Sequence, residues 1–184
     1  MTDEHPNQRR LQGSEYVDDT GAADPALTAA LQAYAASPAA YPEVLAALAD
    51  ARLLVPVVAV LGEVEVGDDG LARDKTSDMA AVLLTGADGR MALIAFTDTT
   101  TLTAWDPAAR PVPVAAHLAA ATAVQEGAAA LVVDVAGPVQ LALEGDDLHR
   151  IAAGWRPVRL PDGEWGWLGV AESTDDSADG EQLR

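Results

Sequence analysis

Two apolar runs on either side of a four-residue turn constrain this chain more than any other feature. Residues 79–84 and 90–96 flank Gly86-Ala87-Asp88-Gly89. Glycine and aspartate tolerate the positive φ that a tight reversal needs, so the stretch predicts an antiparallel hairpin. Both arms are apolar almost throughout, which predicts burial on both faces and a central place in a sheet.

The flanking sequence predicts short helices to cover that sheet. Asp24-Pro25 reads as an N-cap followed by proline at the first helical position, with Leu27, Leu31 and Tyr34 on one face. Pro38 and Pro42 break the pattern, and a second helix runs to about Ala51 with Val44, Leu45 and Leu48 inward. Residues 53–66 are a β-branched run, and Pro56 predicts a bulge or an edge within it. Asp98 caps a short helix carrying Leu102 and Trp105, ended by Asp106-Pro107. An extended segment, a helix from about Ala115 to Glu126 stopped by Gly127, a strand–turn–strand through 128–143 and a last helix ended by Gly154 complete the body. Hydrophobic residues make up 49% of the chain but aromatics only 4%, so small-residue helices pack on a Val/Leu sheet. The fold class expected is α/β of the α+β type: a single compact domain with a mixed, largely antiparallel sheet packed by short Ala-rich helices.

Four regions follow. Residues 1–24 read as a disordered acidic leader, 25–155 as the α/β domain, 156–171 as a Trp-rich hairpin extension packed on the body, and 172–184 as a disordered acidic tail. Pro161-Asp162-Gly163 turns the extension, and Trp165 and Trp167 share one face of its second strand.

Charge and residue usage exclude several classes. The net charge is −18, and Lys75 is the one lysine. Such a surface repels nucleic acid and anionic membrane. The chain has no cysteine, which removes disulfides, thiolate metal sites and cysteine nucleophiles. The amino terminus lacks the apolar core of a signal peptide, and no uncharged run is long enough to span a bilayer. A cytoplasmic location is expected.

The stretches "DMAAVLLTGADGRMALIAFTDTTTLTAWDPAARPVPV" and "AAALVVDVAGPVQLALEGDDLHRIAAGW" resemble the SseB family, specifically the amino-terminal SseB-type domain common in actinobacterial proteins. The resemblance runs over about residues 26–155, with the elements in matching order. Asp134-Val135 stands where many relatives carry Asn-Pro. The resemblance implies a compact mixed α/β domain with no established catalytic residue and no cofactor. Relatives are often encoded beside translation-initiation-factor and ribosomal-protein genes, which implies a translation-associated partner.

Few residues suggest chemistry. His5 lies in the leader, while His117 and His149 sit on helices without metal-ligand spacing, so helix-surface histidine is the reading. Residues 67–78 form an acidic turn whose Leu71, Ala72 and Arg73 interrupt any cation loop. No serine lies in a nucleophile elbow, and no glycine pattern cradles a phosphate. The hydroxyl cluster at 97–105, where a buried strand meets a helix, is the candidate ligand corner: Thr97, Asp98, Thr100, Thr101 and Trp105. Helix capping and core packing explain the same residues. The reading that follows is a non-catalytic accessory or protein-interaction domain without cofactor or metal. It binds an unknown, basic protein partner through its acidic surface and a patch including Trp165 and Trp167. The alternative is a small-molecule or anion sensor built on the 97–105 corner.

Overall fold

The computed structural model describes residues 16–60 and 78–169. Of the expected acidic turn at 67–78, all but Asp78, which begins a strand, lies outside them, as do the tail at 172–184 and His5. The described chain begins with two helices, α1 (Pro25–Ala36) and α2 (Tyr41–Asp50), joined by a 3-10 turn. Asp24 caps α1 by accepting the Leu27 N–H at 2.9 Å, with Pro25 at the first position. Strand β1 (Arg52–Val60) follows, then β2 (Asp78–Ala81), β3 (Leu83–Thr85) and β4 (Met91–Ala95). After α3 (Thr99–Trp105) come β5 (Arg110–Ala115), α4 (Ala116–Gln125), β6 (Ala130–Val133), β7 (Leu141–Glu144) and α5 (Gly145–Ala152). A hairpin of β8 (Arg156–Arg159) and β9 (Trp165–Leu168) closes the described chain. Among the described residues this is an α+β fold of five α-helices and mixed, largely antiparallel sheets.

The sheets run β2-β1-β5 and β3-β4-β6-β7, with β4–β6 the parallel pair and β8-β9 separate. The predicted hairpin is β3–β4: Gly86 N–H bonds the Arg90 carbonyl at 2.8 Å, and Gly89 takes φ +81°. β4 is central, but β3 has only three residues and is half-buried, so the two arms are unequal.

Pro56 sits neither at a bulge nor at an edge, since β1 lies between β2 and β5. Its missing N–H instead marks where one strand changes sheets. Val82, between β2 and β3, donates its N–H to the Pro56 carbonyl at 3.2 Å, and its own carbonyl accepts the Ile94 N–H at 3.4 Å. A residue with an N–H at position 56 would compete for that carbonyl; proline has nothing to offer it. The two sheets meet again at Leu54 and Phe96, which exchange both backbone bonds at 2.8 Å.

The same pairing sets the outer edge. Leu54 faces its peptide group toward Phe96, so Leu53 and Val55 face β5 and bond Val114 and Val112. Pro111 and Pro113 then turn their nitrogens outward, and the free edge of β5 lacks a donor at both positions.

The core lies on one face of the sheet. Leu93, Ala95, Leu131, Val133, Leu141 and Leu143 are buried against α1, α2, α4 and α5, whose inward residues include Leu31, Leu48, Ala120 and Ile151. Alanines fill α4's inner face, so helix and sheet approach closely. The opposite face carries a smaller cluster of Leu54, Ile94, Phe96 and Leu102, covered by α3.

Residues 16–24 differ from the expected free leader. Arg52, 13% exposed, pairs with Asp19, 10% exposed, and donates to the carbonyls of Ala22 at 2.6 Å and Thr97 at 2.9 Å. Gly21 takes φ +75°, and its carbonyl accepts the Thr99 N–H at 2.9 Å. A largely enclosed arginine with this many acceptors anchors whatever supplies them.

Candidate functional site

The corner at 97–105 is built as the residue types predict. The Asp98 carboxylate accepts the Thr101 N–H at 2.7 Å and opens α3, and Thr103 bonds back to the Thr99 carbonyl at 2.7 Å. Trp105 tilts against Phe96 with ring centroids 5.6 Å apart, so its indole belongs to the smaller cluster. Thr100 is exposed and points away from that cluster.

What fills the corner was not legible from residue types alone. Asp134, 3% exposed and at φ +55°, ends β6 and turns its carboxylate onto Thr97. One oxygen accepts the Thr97 N–H at 2.8 Å and the other the Thr97 hydroxyl at 2.7 Å. Burial pushes the Asp134 carboxyl above the ordinary carboxylate range, while the Thr97 and Thr101 hydrogen bonds pull it back. The Thr97 donors that an incoming anion would need are held by this carboxylate. A cavity of about 150 Å³ remains beside it, walled by Thr28 and Gln32 of α1. The carboxylate in its wall disfavours an anionic ligand.

The tryptophans lie elsewhere. Trp167 is half-buried against the main core, with the Arg150 guanidinium 5.3 Å from its ring centre. Trp165, two residues away on the same face, lies beneath Arg159 at 5.7 Å. The hairpin packs on α2, held also by Arg156–Asp50 and Arg159–Glu43 pairs. The structure therefore does not bring Trp165 and Trp167 together with the 97–105 corner, and their shared face is turned to the body.

A second feature of the sheet was not read from sequence. α3 covers the smaller apolar face only at its Phe96 end. Beyond Ile94 that face opens into a groove of about 560 Å³. Leu84, Ala92, Ile94, Ala130 and Val132 form its floor, and the alanines give it depth. Asp88, Arg90, Gln140 and Glu144 stand at its rim. Arg90 bonds Asp88 at 2.6 Å and Glu144 at 3.0 Å, and its hydrogen bond holds the Asp88 carboxyl below the ordinary range. The signal was present in the alternation of β4: Leu93 and Ile94 face opposite sides and both are buried, but sequence does not show that helices cover one side in full and the other in part.

The remaining candidates carry no cluster. His149 donates from Nδ1 to the Gly145 carbonyl at 2.8 Å, an ordinary helix-surface contact. Among the described residues no group of His, Asp and Glu is arranged to hold a metal ion, and no helix is long and apolar enough to cross a membrane.

Residues 27–150 match the family described as SseB protein N-terminal domain. No curated protein and no solved structure matches the chain.

Proposed function

This chain belongs to the SseB family, and on that premise we propose that it is a non-catalytic interaction domain that docks a basic protein on the open face of its four-stranded sheet. The observation that carries the reading is the groove of about 560 Å³ with an apolar floor. Sheets in globular domains cover apolar faces, and an open one with a polar rim is a docking surface by the ordinary logic of burial.

Charge supports the chemistry of the occupant. The chain carries 29 acidic against 11 basic residues. Arg52, Arg90, Arg150, Arg156 and Arg159 are each engaged with carboxylates, so the acidic excess is not answered from within. A partner with apolar side chains flanked by Lys or Arg meets both the floor and the field, the first giving affinity and the second speed and selectivity. The anchor in this reading belongs to the partner and sits on Ala92 and Ala130, in place of the Trp165–Trp167 patch.

Affinity capture from native cells with the parent chain and with Ala92→Arg tests the reading. Ala92 is half-buried on the groove floor. The parent should retain a basic protein that the variant loses while melting within a few degrees of the parent. Equal capture by both would overturn the groove as the docking surface.

A further inference from the structure

Besides the groove, β7 presents a sheet edge. The Ile94 N–H faces Val82 on the β3 side, and the Asp134 N–H bonds the Ala95 carbonyl at 2.9 Å, so the peptide groups of Ala130 and Val132 point to β4 and those of Leu131 and Val133 point to β7. The partners of the latter two are Leu143 and Leu141. The peptide group of Ala142 and the N–H of Glu144 therefore face outward from the last strand of this sheet among the described residues. The two ends of the sheet system differ: Pro111 and Pro113 remove donors from the β5 edge, while β7 contains no proline. The side chains divide as well. Leu141 and Leu143 point into the core, whereas Gln140 and Glu144, like exposed Ala142, lie on the groove side.

We propose that the partner binds by strand addition: an extended, Lys/Arg-containing segment pairs with the outward peptide group of Ala142 and the outward N–H of Glu144, and its alternate side chains enter the groove. This rests on the interaction reading above and specifies its mode. Backbone bonds supply affinity without regard to sequence, and the groove selects the side chains. The charge of the segment follows from its neighbours. Glu144, Asp146 and Asp147 stand at the end of β7, and Asp88 faces Glu144 across Arg90. Two arginines, Arg90 and Arg150, contact all four carboxylates, so the negative charge is only half balanced and a cation in the added strand is attracted there. A second copy of the chain is disfavoured on the same ground, because it brings the same −18 charge and the same acidic strand end.

The probe is the capped heptapeptide Lys-Val-Lys-Val-Lys-Val-Lys, with two analogues N-methylated at alternate residues, one set on the valines and the other on the lysines. Amide exchange and backbone shifts of the full chain are followed by NMR. Strand addition predicts slowing of exchange at Ala142 and Glu144 by about fivefold or more at saturation. It also predicts that one methylated analogue loses binding while the other retains it. Ala142→Lys, at an exposed position, should weaken binding about tenfold. Shifts confined to Ala92, Ile94 and Ala130, with both analogues equal to the parent peptide, would leave the groove reading standing and overturn strand addition. Absence of any binding would overturn strand addition too, and capture with Ala92→Arg then decides the groove separately. Protection of the β7 amides in the absence of peptide, with a dimer in sedimentation, would assign the edge to a second copy and overturn the proposal.

Discussion

The Thr97 backbone N–H and hydroxyl both donate to the Asp134 carboxylate, at 2.8 and 2.7 Å, and so tie the end of β4 to the end of β6. A parallel pair has no turn of its own to close it, and here a buried side chain does that work. Thr97→Val keeps the shape and removes one donor from a buried carboxylate. The expected cost is about 1.5–3 kcal/mol by urea denaturation. A variant as stable as the parent would mean that the backbone bond suffices.

The same carboxyl makes a pH prediction whose sign is fixed by burial. Its folded pKa lies above the unfolded one, so between the two the folded state holds the extra proton. Asp134 therefore lowers stability as pH rises from about 3.9 through its raised value. Asp134→Asn removes the titration, still accepts the Thr97 N–H and suits the left-handed backbone. The stability of the parent relative to this variant should fall as pH is raised from about 4 to neutrality. A constant difference would show that the group does not titrate there.

Arg52 and Asp19 predict that the described leader is part of the folded unit. Arg52→Ala strips a nearly buried carboxylate of its partner and should cost about 3–5 kcal/mol. Removing residues 1–24 leaves Arg52 without Asp19 and the Ala22 carbonyl, and should lower the melting temperature clearly. A chain starting at Pro25 that melts like the parent would show that the contact contributes nothing.

Leu93 and Ile94 are each fully buried, one in the main cluster and one in the smaller. Leu93→Asp and Ile94→Asp should each prevent cooperative folding, because an unpaired buried charge costs as much as a domain's whole stability. Asp88→Ala, on the exposed turn, should melt close to the parent.

Trp167→Ala should lower stability by about 2 kcal/mol, and Trp165→Ala by less, since only Trp167 reaches the main core. An unchanged melting temperature in Trp167→Ala would return that ring to the surface.

What sequence revealed was local. Asp24 and Asp98 announced their helices because a cap is decided within four residues, and the 86–89 turn announced the β3–β4 hairpin for the same reason. The parallel pairing of β4 with β6 was not legible, since α3, β5 and α4 intervene and alternation does not encode a distant neighbour. Asp134 stood out only against the Asn-Pro of relatives, because one aspartate after a buried strand looks like the start of a turn. Its role depends on Thr97, 37 residues away. The Trp165–Trp167 face could be read as a pair, but whether it meets solvent or body depends on where the hairpin lands, which α2 decides. Pro56 showed that a bond was missing without showing that Val82 would use the vacancy.

Val82 has a thermodynamic consequence. Because one residue gives its N–H to one sheet and its carbonyl to the other, neither sheet can separate as an independent unit. Opening the β1 side frees Val82 and exposes Ile94, and opening the β4 side does the reverse. The described body should therefore melt in one transition, with calorimetric and van't Hoff enthalpies in agreement. Amides of β1 and β4 should exchange at a common, slowest rate, through global unfolding alone.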